Sequence, residues 1–236
     1  MDSATVNGLK VRRRTDELMD DPGLNPAEHA RALRGLGLIN ALSRSDSILW
    51  PPIARLARDV AHVPIRVLDI ACGGGDVTAA LANRCVPTAI DVFVEGCDIS
   101  PTAVNLASER HAGVKFFELD ALRDPIPEGY HVVCCSLFLH HLEPEDAVLL
   151  LGKMMTAAGR LVLVNDLSRT RFGYDLAWLG CRILSRSYVV HNDGPASVAA
   201  AFTPDEALDL ARRAGLIGAK VVKRWPARFL LSWERP

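Results

Sequence analysis

From Ile65 onward the sequence alternates short apolar runs with stretches of helical spacing, and that alternation limits the fold more than any other feature. IRVLDI, DVFVEGCDI, VKFFEL, HVVCCSLF and RLVLVNDL read as buried strands. DVTAALANRC, SPTAVNLASERHA and PEDAVLLLGKMMTAAG lie between them and read as helices. Such a chain builds an α/β fold around a doubly wound, mostly parallel, seven-stranded sheet, with ligands at the carboxyl ends of the strands. Boundary signals support the reading. Ser100 caps a helix with Pro101 at its first position, and Thr203, Pro204 and Glu206 form a capping box that Gly215 closes. AKVVKRW and RFLLSWE, linked at Pro226, are expected to form an antiparallel terminal hairpin that closes the sheet edge.

Residues 1–62 read as an N-terminal helical cap. Asn25, Pro26 and Glu28 form one helix start, and a second helix runs around Pro51 and Pro52 with Ile48, Leu49, Ile53, Leu56 and Val60 at helical spacing. Residues 63–236 form the α/β domain. An insertion at about 167–202 leaves the carboxyl end of a strand and carries Phe172, Leu176, Leu179 and Ile183 on one helical face. That stripe either packs on the core or belongs to a lid.

Composition removes several classes of function. Net charge is −1, and Arg12, Arg13 and Arg14 are followed at once by acids, so this start reads as a solvated, charge-mixed segment and nucleic acid is not an expected partner. No signal-type apolar region is visible at the N-terminus, and no apolar stretch approaches the roughly 20 residues of a membrane span. The 6 cysteines show no CxxC spacing and fall in apolar runs, which fits a reduced, cytoplasmic setting. Nothing in the sequence specifies an oligomeric state.

VLDIACGGGDV carries the first chemical signal. A dinucleotide loop wants Gly or Ala at its third position, where Thr78 stands, and a phosphate loop wants a Lys that is missing. The register Asp69-x-Ala71-x-Gly73-x-Gly75 instead resembles the D-x-G-x-G-x-G motif of class I S-adenosylmethionine-dependent methyltransferases, of the small-molecule, tailoring or quinone-pathway branch. Ala71 replaces the first glycine and is expected to tolerate close approach but not a positive φ. The resemblance spans about residues 63–233 and implies a Rossmann-like fold and S-adenosyl-L-methionine as cofactor.

It also implies roles for residues. Asp69 and the small positions Ala71 and Gly73 would hold the amino-acid tail. Asp98, ending the second strand, would accept both ribose hydroxyls, since one carboxylate accepts several hydrogen bonds. Ile99 would cover the adenine face, with Asp120 and the Ala121 N–H reading its edge. Ser136 would line the floor, and Arg44 would clamp the cofactor carboxylate from the N-terminal cap.

Methyl transfer to a hydroxyl needs alignment and a base. His140 and His141 follow the fourth strand and Asp166 ends the fifth, so a His oriented by an Asp is the expected base. His191, beside Asp193 in what reads as a loop of the lid, is the further candidate. Either His of the pair can instead cap the next helix. No metal is expected: Leu and His stand where an acidic ligand would follow the fourth strand, and Cys134 and Cys135 point to opposite faces of theirs. Phe172, Tyr174, Trp178 and Leu179 suggest an apolar or aromatic hydroxyl-bearing small-molecule acceptor, such as a phenol, quinone or polyketide-like compound. The alternatives are a C- or N-methyltransferase, or a non-catalytic S-adenosylmethionine-binding regulator. A nucleotide-dependent oxidoreductase is disfavoured by Thr78 and Asp120.

Overall fold

The structure is a computed structural model that describes residues 9–15, 17–18, 23–25, 27–28, 31–32, 35, 44–60, 64–85 and 91–236. Among these, helix α1 (Ser45–Asp59) precedes strand β1 (Ile65–Ile70), α2 (Asp76–Cys85), β2 (Val92–Asp98), α3 (Pro101–Arg110), β3 (Lys115–Glu118) and β4 (Tyr130–Ser136). A 3₁₀ turn at Leu139–His141 leads into α4 (Pro144–Ala157) and β5 (Ala158–Leu167). Then come α5 (Arg171–Leu184), α6 (Tyr188–Ala200), α7 (Pro204–Arg213), β6 (Lys220–Arg224) and β7 (Arg228–Glu234). Pro26 of the N-terminal helix start lies outside the described residues; Asn25 accepts the Ala27 N–H on its Oδ1 at 2.8 Å.

The strands form one seven-stranded sheet in the order β3-β2-β1-β4-β5-β7-β6. β1 to β5 pair in parallel, and β7 runs antiparallel to both β5 and β6. The hairpin does not simply append to the edge. The later strand, RFLLSWE, inserts beside β5, and KVVKR takes the edge. Composition explains the choice: β7 is almost wholly buried, while β6 carries the lysines that protect an exposed edge.

Both faces of the sheet are covered, so β1, β4 and β5 read as continuous apolar runs rather than alternating ones. Leu150, Leu151 and Met154 of α4 and Leu210 of α7 pack on one face with Cys135, Val164 and Phe229. Ile48, Leu49 and Ile53 of α1 and Leu81 of α2 pack on the other with Val67, Cys134 and Leu163. Cys134 and Cys135 thus point into different halves of the core. The Thr203 and Glu206 capping box forms as expected.

Candidate functional site

The carboxyl ends of β1, β2 and β3 lie side by side around the glycine loop. Asp69 is buried, and its Oδ2 accepts the Thr78 hydroxyl at 2.7 Å. The third loop position therefore serves as an anchor for the first acid, a use that loop patterns do not reveal. Burial raises the Asp69 pKa to about 6, against the hydrogen bonds from Thr78 and Cys134 that favour the charge. Ala71 sits at φ 54, in the left-handed region, contrary to the expectation from its Cβ. The surrounding turn, with Cys72 N–H on the Cys97 carbonyl at 3.0 Å, holds it there at a cost of about 1 kcal/mol. A Cβ on Gly73 would meet nothing within 4 Å, so backbone lies open to a ligand. A Cβ on Gly75 would strike Phe116 at 2.7 Å and Ala107 at 2.9 Å, which seats the loop against α3 and β3.

Asp98 is fixed by two backbone donors: Gly73 N–H reaches Oδ2 at 2.8 Å and Ser100 N–H reaches Oδ1 at 2.9 Å. A carboxylate has about four acceptor sites, so about two remain for a diol. Ile99 stands 64% exposed beside it as an apolar ledge. Asp120 is engaged locally, accepting Leu122 N–H at 3.0 Å and Arg123 N–H at 3.1 Å through Oδ1, next to buried Ala121. This open backbone, apolar ledge and oriented carboxylate suit the polar tail and nucleoside of S-adenosylmethionine.

The second group lies where β4 and β5 end. Leu137, at φ 59, reverses the chain after β4, and its N–H donates to the Asn165 carbonyl at 2.8 Å. The turn returns His140 to Asp166, with Nδ1 at 2.6 Å from Oδ1 and the His140 N–H at 3.0 Å from Oδ2. Both residues are buried. Burial alone would raise the Asp166 pKa, but His140 and the Leu167 and His140 backbone donors outweigh it, and the net shift is down. A lowered carboxylate stabilises the fold at neutral pH and loses that contribution as pH falls through its own value. Asn165 Nδ2 donates to Ser136 Oγ at 2.8 Å, while Asn165 Oδ1 is buried without a partner among the described residues. Arg228 is buried nearby, bonded to Ser45 Oγ at 2.5 Å, and burial lowers its pKa to about 10 against the pull of Asp166.

A strap of N-terminal residues crosses this second group. Arg12 is not solvated, as the charge pattern suggested. It donates to the carbonyls of Ala200 at 2.6 Å, His140 at 3.0 Å and Leu142 at 2.6 Å, and its guanidinium lies 4.1 Å from the centre of the Phe202 ring. Arg13 N–H bonds the Ala199 carbonyl at 3.1 Å, and Arg169 Nε bonds the Leu9 carbonyl at 3.1 Å. Glu17 then lies over the histidines, its Oε1 accepting the Ser197 hydroxyl of α6 at 2.5 Å.

Other expectations change. His191 lies on α6 rather than in a loop, and its Nε2 is 2.7 Å from the Ser185 carbonyl, a contact within the insertion. The stripe on α5 does not pack on the core: Phe172, Leu176 and Leu179 are exposed and Ile183 is 70% exposed. Gly173 and Cys181 are the buried residues of that helix, and Cys181 packs with Val189, Val190 and Ala32. Trp178 is exposed as well. Arg44 is the left-handed residue before α1, at φ 50, and is exposed, with no ion pair among the described residues. Sequence reasoning did not find Glu17 or the role of Arg12, and it noticed Thr78 and Asn165 without assigning them these contacts. Only Thr78 lies within a recognisable motif.

Comparisons with known proteins bear on the family and the fold. A family model described as "Methyltransferase domain" matches residues 67–158. The chain is 33% identical over 118 residues to demethylmenaquinone methyltransferase of Deinococcus radiodurans, covering 48% of this chain and 47% of that protein. It is 28% identical over 162 residues to ubiquinone biosynthesis O-methyltransferase of Paraburkholderia phymatum, covering 66% of each. The chain thus spans about half the length of the first of these relatives. Among solved structures, the S-adenosylmethionine-dependent methyltransferase SibL in its apo form superposes with a TM-score of 0.66 at 20% identity, covering 98% of this chain and 68% of that one. That likeness concerns the fold.

Proposed function

Given that the chain belongs to the class I S-adenosylmethionine-dependent methyltransferases, we propose that it methylates a hydroxyl of a small apolar or aromatic metabolite of phenol, quinone or polyketide-like type. One observation carries the reading. The Asp166–His140 pair stands at the ends of β5 and β4, and β4 is the direct neighbour of β1, whose end bears the glycine loop. The names of the two quinone-pathway relatives support the substrate class.

Asp98 would hold the ribose, Asp120 and Ala121 the adenine edge, and Ile99 its face. Asp69, Ala71, Gly73 and the orphaned Asn165 Oδ1 would receive the amino-acid tail, with Ser136 below it and Arg44 at the rim. When bound, S-adenosylmethionine supplies an electrophilic methyl with a neutral leaving group, so the chain's own work is alignment and deprotonation of the acceptor. With Nδ1–H given to Asp166, His140 presents Nε2 as the proton acceptor, and the Asp166 carboxylate stabilises the charge that forms. His141, whose ring lies 4.3 Å from that of His140, limits its rotation. Free thiols at Cys72, Cys97, Cys134, Cys135 and Cys181 fit action in a reducing cytoplasm. No described helix is long and apolar enough to cross a membrane.

The test is incubation with methyl-labelled S-adenosylmethionine and a panel of phenols and quinols. Label should pass to the hydroxyl of at least one compound and depend on His140. Tight cofactor binding with no transfer to any hydroxyl-bearing compound would favour the regulator instead.

A further inference from the structure

We propose that Glu17, His140 and His141 form a binding site for a divalent first-row transition ion, of which zinc is the representative. Glu17 Oε1 lies 3.9 Å from His140 Nε2, and Oε2 lies 3.9 Å from His141 Nε2. One ligand atom from each of the three residues falls within 4.8 Å of the others. These separations exceed hydrogen-bond lengths of about 2.7–3.2 Å. Ligand atoms around a tetrahedral zinc, with bonds of ~2.1 Å, stand ~3.4 Å apart, so the two 3.9 Å separations, which run to different Glu17 oxygens, close by about half an ångström and the widest separation by at most ~1.4 Å.

The supporting contacts are those of a metal centre. A ligating imidazole commonly gives its other ring N–H to a carboxylate, and His140 Nδ1 meets Asp166 Oδ1 at 2.6 Å. That bond fixes the tautomer and leaves Nε2 to face Glu17. Glu17 is itself oriented by the Ser197 hydroxyl, and the neighbouring Leu18 N–H is held by Asp193 Oδ1 at 3.0 Å. The site is nearly dry, with side-chain exposure of 4% for His140, 11% for Glu17 and 25% for His141. Two imidazole nitrogens and one carboxylate suit zinc, iron(II), cobalt or nickel better than magnesium or calcium, which prefer oxygen. Three protein ligands leave a coordination position open. The acid absent after β4 comes instead from the strap, far away in sequence.

The ion site stands on this geometry alone. Its consequence for the reaction rests on the methyl transfer proposed above. With Nε2 engaged as a ligand, activation of an acceptor hydroxyl passes from the imidazole to the ion, which lowers the pKa of an oxygen bound to it.

The experiment titrates the chelator-treated, full-length protein with zinc chloride by calorimetry, and with cobalt(II) by visible absorption. S-adenosylhomocysteine affinity serves as a separate readout of folding. The expected result is one zinc per chain, a cobalt d–d spectrum, and at least ~10-fold weaker zinc binding in both Glu17→Gln and His141→Ala, with S-adenosylhomocysteine affinity retained. Absence of stoichiometric zinc binding, or variants that bind zinc as the parent does, overturns the proposal. Zinc bound without S-adenosylhomocysteine would uphold this site and remove the methyltransferase reading. S-adenosylhomocysteine bound without zinc would remove this site alone.

Discussion

The two halves of the site are built in different ways. The half at the ends of β1, β2 and β3 is local: Asp69, Thr78, Gly73 and Asp98 fix one another through contacts 9 to 25 residues apart. The half at the ends of β4 and β5 is assembled from afar. Arg12 reaches the His140 carbonyl across 128 residues, and Ser197 reaches Glu17 across 180. The first half can be set by neighbouring strands alone. The second exists only once strap, insertion and sheet have docked, so the cradle should survive damage that dismantles the acceptor side.

The largest expected effect comes from the assembled half. His140→Ala should lower turnover about 10²–10⁴-fold, with S-adenosylhomocysteine affinity held within a few-fold, read by steady-state kinetics beside calorimetry. Normal turnover in this variant would remove His140 from the chemistry. In the local half, Asp98→Ala should weaken cofactor binding by about 10²-fold, the worth of charge-assisted hydrogen bonds to a diol. Unchanged affinity would refute that role.

Asp69 sharpens the contrast through pH. Its folded pKa of about 6 lies above the ordinary value of 3.8. Folding therefore takes up a proton between these values, and the residue's contribution to the stability of the cofactor-free protein rises as pH falls through that window. If Asp69 receives the cofactor ammonium as proposed, binding calls for the ionised form and affinity should move the other way: flat above pH 6 and falling by up to ~10-fold per unit below it. Calorimetry across pH 5–8 should show this inflection in the parent and lose it in Asp69→Asn.

Arg12→Ala should cost about 2 kcal/mol and speed hydrogen exchange in residues 9–18 while leaving S-adenosylhomocysteine affinity alone. A strap that stays protected would mean that the other anchors suffice. The smallest effect is that of Ala71→Gly. Relief of the left-handed strain outweighs the added freedom of the unfolded chain by about 0.5 kcal/mol, so Tm should rise by a degree or two. A clear fall in Tm would show that the Ala71 methyl packs usefully.

Legibility in the sequence follows the same division. Strand and helix periods, the Ser100 and Thr203 caps, and the ends of β1 and β2 all depend on neighbouring residues, and they stand where the sequence placed them. The Asp166–His140 pairing was also readable, because both residues end adjacent strands. Glu17 and Arg12 were not, since their roles come from packing against residues that periodicity cannot bring near. The α5 stripe was legible only in part, and its core-packing reading fails for a related reason: helical spacing shows that apolar side chains share a face, but not what covers it. Thr78 broke a loop pattern because it serves Asp69 rather than a ligand, and Ala71 took a glycine's conformation because the turn around it leaves little choice.

The most direct measurement is a crystal structure of the complex with S-adenosylhomocysteine. The ribose hydroxyls should meet the Asp98 carboxylate, the adenine should lie over Ile99 with its amino group toward Asp120, and the sulfur should face the turn that carries His140. A nucleoside bound elsewhere, or Asp69, Asp98 and Asp120 turned away from one shared hollow, would contradict the account.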